Sequence, residues 1–130
     1  MKMRLVGIVM LGLLLTFLVG ACGSVVSDLQ TVGTAGDNFM TALKNGDASG
    51  SYNMLGADLQ KEIGGADSWA TWIKTRQAKT WNFANRNINN ERGELSGTAT
   101  FSDDKDYNIS LVLTKSGSDW KVIGIQFNLK

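Results

Sequence analysis

The hydrophobic period of this chain changes once, and that change decides the class of fold. Ser27 or Asp28 can cap a helix, after which Leu29, Val32, Gly36, Phe39, Met40 and Leu43 recur on one helical face. Gly46 suits the position just past its end. Gly33 and Gly36 each cost about 1 kcal/mol relative to Ala inside a helix, so they either allow close packing or mark a break. Asp47 can cap a second, shorter helix carrying Ala48, Tyr52 and Leu55, and a short turn from Asp58 to Ile63 runs into Gly64-Gly65. Asp67 or Ser68 opens another helix, with Trp69, Trp72 and Ile73 on one stripe and Lys74, Arg76 and Lys79 near its C-terminal end, where cations suit the helix dipole. From Trp81 onward the period is two. Strands are expected over Trp81 to Asn89, Arg92 to Phe101, Tyr107 to Lys115 and Trp120 to Asn128. Short polar turns, Ser102-Asp103-Asp104-Lys105 and Ser116-Gly117-Ser118-Asp119, favour antiparallel hairpins. In the last strand Trp120 and Val122 share one phase while Ile123, Ile125 and Phe127 share the other, so either both faces are covered or a bulge near Gly124 shifts the phase. Helices first and an antiparallel sheet afterwards give an α+β fold.

The first residues are of another kind. Lys2 and Arg4 precede an apolar run from Leu5 to Val19, and small residues Gly20 and Ala21 follow, which is the layout of a secretory signal peptide. The run is short for a transmembrane helix, which takes about 20 apolar residues. Residues 1–21 are therefore expected to be a signal peptide, 22–27 a short linker, and 28–130 a single α+β domain.

Val19-Gly20-Ala21-Cys22 resembles the lipobox of bacterial lipoproteins. The resemblance implies a lipid on the Cys22 thiol, cleavage after Ala21, and a place at the bacterial cell envelope, anchored to a membrane outside the cytoplasm. Two or more acyl chains anchor a protein stably where one holds it marginally. Cys22 is the single cysteine, so no intrachain disulfide can form, and lipidation accounts for an odd thiol in an exported chain. Extended, residues 23–27 span only about 17 Å, which would keep the domain near its membrane.

Once residues 1–21 are removed, 109 residues remain, one domain's worth, with 11 basic side chains against 12 acidic and hence a net charge of −1. That balance offers nucleic acid no basic stripe. Phe39-Met40-Thr41-Ala42-Leu43-Lys44-Asn45-Gly46-Asp47, Tyr52 to Leu55, and the closing Trp120-Lys121-Val122-Ile123-Gly124-Ile125 resemble the cone-shaped, cystatin-like domains of the nuclear transport factor two-like superfamily, especially small bacterial lipoproteins of unknown function. The resemblance implies a curved four-stranded sheet wrapped around N-terminal helices, often with a pocket at the open end.

Catalytic chemistry is thinly represented. The chain has no histidine, which removes the usual general base near neutral pH and the commonest metal ligand. No phosphate loop, nucleophile elbow or metal-ligand spacing is present, so no cofactor or metal is expected. Asp58 and Glu62 read as a solvated helical face, and Asp103-Asp104-Lys105-Asp106 as a hairpin turn rather than a calcium loop. The aromatic side chains say more: Trp69, Trp72, Trp81, Phe83, Phe101, Tyr107 and Trp120 are candidates to line an apolar pocket, with core filling as the alternative for each. Asn85, Asn87 and Asn89 are placed on the strand face of Trp81 and Phe83. The leading expectation is a lipid-anchored, non-catalytic domain that binds a small apolar ligand or an envelope protein. The alternatives are a small isomerase- or hydratase-like enzyme with a buried carboxylate, and a structural envelope protein that dimerises through its sheet.

Overall fold

A computed structural model describes residues 28–130, so the signal sequence and Cys22 lie outside the described residues. Helix α1 covers residues 28–44 and is followed by α2 (Ala48–Asn53), α3 (Ala57–Ile63) and α4 (Ala66–Ile73). Strands β1 (Ala78–Asn89), β2 (Arg92–Phe101), β3 (Asp106–Ser116) and β4 (Asp119–Leu129) form one antiparallel sheet in the order β1-β2-β3-β4.

The helical stripe of α1 becomes its buried face: Val32, Phe39, Met40 and Leu43 are fully enclosed. Leu29, expected on that stripe, is instead 39 % exposed, because the helix's first turn overhangs the core layer that begins at Val32. The glycines permit close packing, since the helix runs unbroken and a Cβ on Gly36 would stand 2.2 Å from Leu95 Cδ1 and 3.2 Å from Phe83 Cε2. Asp47 caps α2 as its sequence suggests, accepting from the Gly50 N–H at 2.9 Å. Helix α4 begins at Ala66 behind Gly65 rather than at Asp67 or Ser68, which puts the Asp67 carboxylate in the first turn, where it suits the helix dipole.

Register shifts in β1 and β4 set which side chains face inward. Asn82 pairs with Thr98 and Asn85 with Ser96, so Phe83 and Ala84 together oppose the single residue Gly97. Only glycine fits there: a Cβ would lie 1.8 Å from the Asn82 carbonyl oxygen. The extra residue reverses the phase of β1. Phe83 faces the core before the bulge and Ile88 packs against it afterwards, while Asn85, Asn87 and Asn89 are exposed, off the face of Trp81 and Phe83 where the sequence had placed them. In β4, Gly124 pairs with Val112 but Val122 with Leu113, leaving Ile123 as the extra residue. A bulge is therefore the reason that Trp120 and Val122, then Ile125 and Phe127, all turn toward the helices although their numbering changes phase. The loop after α2 covers the edge of β4 at this point, where Val122 N–H donates to Met54 O and Gly56 N–H to Val122 O, both at 2.8 Å.

The core thus lies between α1 and α4 on one side and Leu95, Phe101, Ile109, Leu111 and Leu113 of the sheet on the other. Each such side chain stabilises the fold by about 1.5–3 kcal/mol on burial. Three indole N–H groups pin helix to helix or helix to sheet: Trp69 to Ser51 Oγ at 2.8 Å, Trp81 to Asp37 Oδ1 at 3.0 Å, and Trp120 to Thr31 Oγ1 at 3.0 Å.

Candidate functional site: an aromatic cleft at one end of the sheet

At one end of the sheet the β2–β3 turn meets the chain that leaves α4, the Ser102 N–H donating to Gln77 O at 2.8 Å. Between them lies a cleft of about 350 Å³ lined by Thr75, Arg76, Phe101, Asp103, Tyr107 and Phe127. Phe101 ends β2 and is 2 % exposed, so it forms the floor. Tyr107 meets it edge-on with ring centroids 4.9 Å apart, and Phe127, brought inward by the β4 bulge, stands with its ring centroid 5.1 Å away. Behind Phe127 the rings continue inward through Trp72 at 5.8 Å to Trp69 at 4.9 Å from Trp72, both stacked.

Polar groups sit at the mouth. The Arg76 guanidinium lies 4.4 Å over the Trp72 ring, an arrangement that holds a cation by the ring's quadrupole. Its Nη1 donates to Trp72 O at 3.0 Å and to Thr75 Oγ1 at 3.2 Å. Across the cleft the Tyr107 hydroxyl donates to Asp103 Oδ2 at 2.6 Å, and the Lys105 N–H donates to Asp103 Oδ1 at 3.0 Å. The bond from Tyr107, followed by that from Lys105, lowers the Asp103 carboxyl below its ordinary value. The same bond raises the Tyr107 hydroxyl, because ionising it would set two negative oxygens against each other.

Of the aromatic side chains singled out from sequence, the structure brings Phe101 and Tyr107 together in this cleft, and Trp120 borders another groove. Trp72 stands directly behind its Arg76 and Phe127 walls. Trp69, 1 % exposed, fills the core behind Trp72. Phe83, 6 % exposed, is core beneath α1. Trp81 borders a separate hollow with Thr80, Asp106 and Lys130. Sequence reasoning did not select Phe127, Arg76, Thr75 or Asp103 for the site. The sequence placed Arg76 and Lys79 near a helix end, but α4 stops at Ile73, Arg76 lies in the connector and Lys79 in β1, so only the closeness of Arg76 to Trp72 in sequence was an available signal, whereas Phe127 needed the bulge to be known.

A larger groove of about 460 Å³ runs between α1 and the β3–β4 turn, lined in part by Gln30, Thr31, Asn38, Met54, Trp120 and Lys121. It is the weaker candidate. Its one aromatic ring, Trp120, is 8 % exposed and its indole N–H is already given to Thr31. The acidic turn is engaged internally as well: Asp104 pairs with Lys79, and Asp106 accepts from Thr100 Oγ1 at 2.7 Å. Among the described residues no three metal-ligating side chains converge.

Comparison with solved structures identifies the fold. A candidate dehydratase of the NTF2-like family from Streptomyces avermitilis superposes with a TM-score of 0.66 at 11 % identity, over 82 % of this chain and 99 % of that one. An NTF2-like protein of unknown function from Silicibacter pomeroyi gives 0.65 at 9 % identity over the same shares of the two chains. A Nostoc punctiforme protein of unknown function with a cystatin-like fold gives 0.59 at 10 %, covering 78 % and 90 %. The fold is NTF2-like. No protein-family model matches the sequence, and no curated protein is similar to it in sequence. The helices pack on a curved four-stranded antiparallel sheet, as the sequence implied.

Proposed function

We propose that this chain is a lipid-anchored domain at the outer side of a bacterial membrane, and that it binds a small, flat, largely apolar ligand in the cleft floored by Phe101. The observation that carries the binding reading is the cleft itself. Three rings, Phe101, Tyr107 and Phe127, converge where the fold could have closed over them, and a few polar groups stand at the mouth, the composition typical of ligand sites. The anchor rests on the lipobox at Val19 to Cys22.

Binding without catalysis accounts better for the acids than the isomerase or hydratase reading does. Such an enzyme needs a carboxyl raised by apolar surroundings. Among the described residues every acid keeps part of its surface in solvent, and the cleft's own acid, Asp103, is held ionised by Tyr107.

Equilibrium dialysis of the full chain against 2-naphthamide tests the cleft. Thr75 is exposed on its rim, and Thr75→Trp would fill it without touching the core. Binding by the unaltered chain that is lost in Thr75→Trp supports the reading, and equal binding by both refutes it. Intact mass of membrane-extracted protein tests the anchor: a chain beginning at Cys22 with added acyl mass is expected, absent from Cys22→Ala, and an unmodified chain would remove the envelope assignment.

A further inference from the structure

We propose that the cleft selects ligands bearing a carboxylate, or a group of like charge and shape, which Arg76 receives while the rings hold the flat body; this rests on the cleft being a ligand site. The argument begins with the state of Arg76. Its side chain is half-buried at the cleft wall, and among the described residues it forms no ion pair. The acid nearest in the cleft lining, Asp103, is bound instead by the Tyr107 hydroxyl and the Lys105 N–H.

The guanidinium is nevertheless fixed. Its central carbon lies 4.4 Å over the Trp72 ring, and Nη1 is tied to Trp72 O and Thr75 Oγ1. A guanidinium carries five N–H donors in a rigid fork, so a group anchored through Nη1 still has a donor edge to offer, and a planar carboxylate matches it with two parallel bonds. A positioned, partly desolvated cation with no carboxylate bonded to it still has donors for an anionic ligand to take up. Neutral ligands satisfy the rings but leave this donor edge to water. Cationic ligands meet the like charge of Arg76.

The test uses three probes with one ring system and different charge: 2-naphthoate, 2-naphthamide and 2-naphthylmethylammonium. Binding to the full chain in detergent is measured beside Arg76→Gln and Arg76→Lys in the same micelles, so that partition into detergent cancels between variants. The carboxylate is expected to bind the unaltered chain about tenfold or more tightly than the amide, with the ammonium weakest. Arg76→Gln should erase that preference, so that the carboxylate and the amide bind the variant about equally. Arg76→Lys should restore part of the preference, since the charge returns without the fork. Equal affinity for carboxylate and amide, or a carboxylate preference that survives in Arg76→Gln, overturns the inference and leaves the cleft as a neutral site. Binding by none of the three overturns the cleft reading and this inference with it.

Discussion

Replacing Trp69 and Trp72 by phenylalanine, one at a time, separates core from cleft wall. The two rings are stacked 4.9 Å apart and lie three residues apart on α4, yet their surroundings differ. Trp69 is 1 % exposed and gives its indole N–H to Ser51 Oγ at 2.8 Å, and Ser51 is itself fully buried. Trp69→Phe deletes that bond, worth about 1 kcal/mol, and leaves the lost ring atoms as a cavity that closes only in part, about 1–2 kcal/mol more. A total of about 2–3 kcal/mol is expected. Trp72 is half-buried, and Phe at that position keeps an aromatic face for Phe127 and Arg76, so Trp72→Phe should cost under about 1 kcal/mol. Urea unfolding followed by circular dichroism, at an unchanged slope, measures both. Ser51→Ala completes a double-mutant cycle with Trp69→Phe, and a coupling of about 0.5–1.5 kcal/mol is expected from the shared bond. Equal costs for the two substitutions, or a coupling indistinguishable from zero, would refute this division of the α4 aromatic stripe.

Other consequences are as specific. Gly97→Ala should destabilise by about 1–3 kcal/mol or more, because the new Cβ meets the Asn82 carbonyl, backbone that has nowhere to go; denaturation of the purified variant reads this directly. Tyrosinate absorbance should show one hydroxyl titrating above the ordinary tyrosine value, and Asp103→Asn should return it downward. By linkage, the Asp103–Tyr107 bond contributes stability that is present above the ordinary carboxyl pKa and lost as pH falls through the lowered folded value. On the alkaline side the raised Tyr107 contributes stability present below its ordinary value and lost as pH climbs through the raised one. Acid and alkaline denaturation of Asp103→Asn should therefore both be less pH-dependent than those of the unaltered chain. Lys115→Met, which breaks the 2.9 Å pair with Asp28, should cost under about 1 kcal/mol, since both side chains are partly in water and such pairs contribute little.

Much of the fold is legible in the residues because its periods are local. The stripe from Val32 to Leu43 and the alternation through Leu95 to Phe101 and Ile109 to Leu113 depend only on helix and strand geometry, and both became core. What the sequence hides is phase. An extra residue at Phe83–Ala84 turns Asn85, Asn87 and Asn89 away from the core, and no local pattern announces it except Gly97, which lies on the neighbouring strand. The cleft was half legible for the same reason. Phe101 and Tyr107 flank one turn and could be paired by eye, whereas Phe127 reaches them through the Ile123 bulge and Arg76 by way of Trp72. Aromatic content also misleads by type: Trp69 and Trp81 use their indole N–H groups to fasten the core and so are structural.

The central claim is that the cleft beside Arg76, not the larger groove beside Trp120, takes the ligand, and the four indole N–H resonances of the chain report on both places at once. Two-dimensional NMR during titration with 2-naphthoate should move the Trp72 resonance while that of Trp120 stays in place. Movement of the Trp120 resonance with Trp72 unchanged would put the ligand in the groove along α1 and contradict the account.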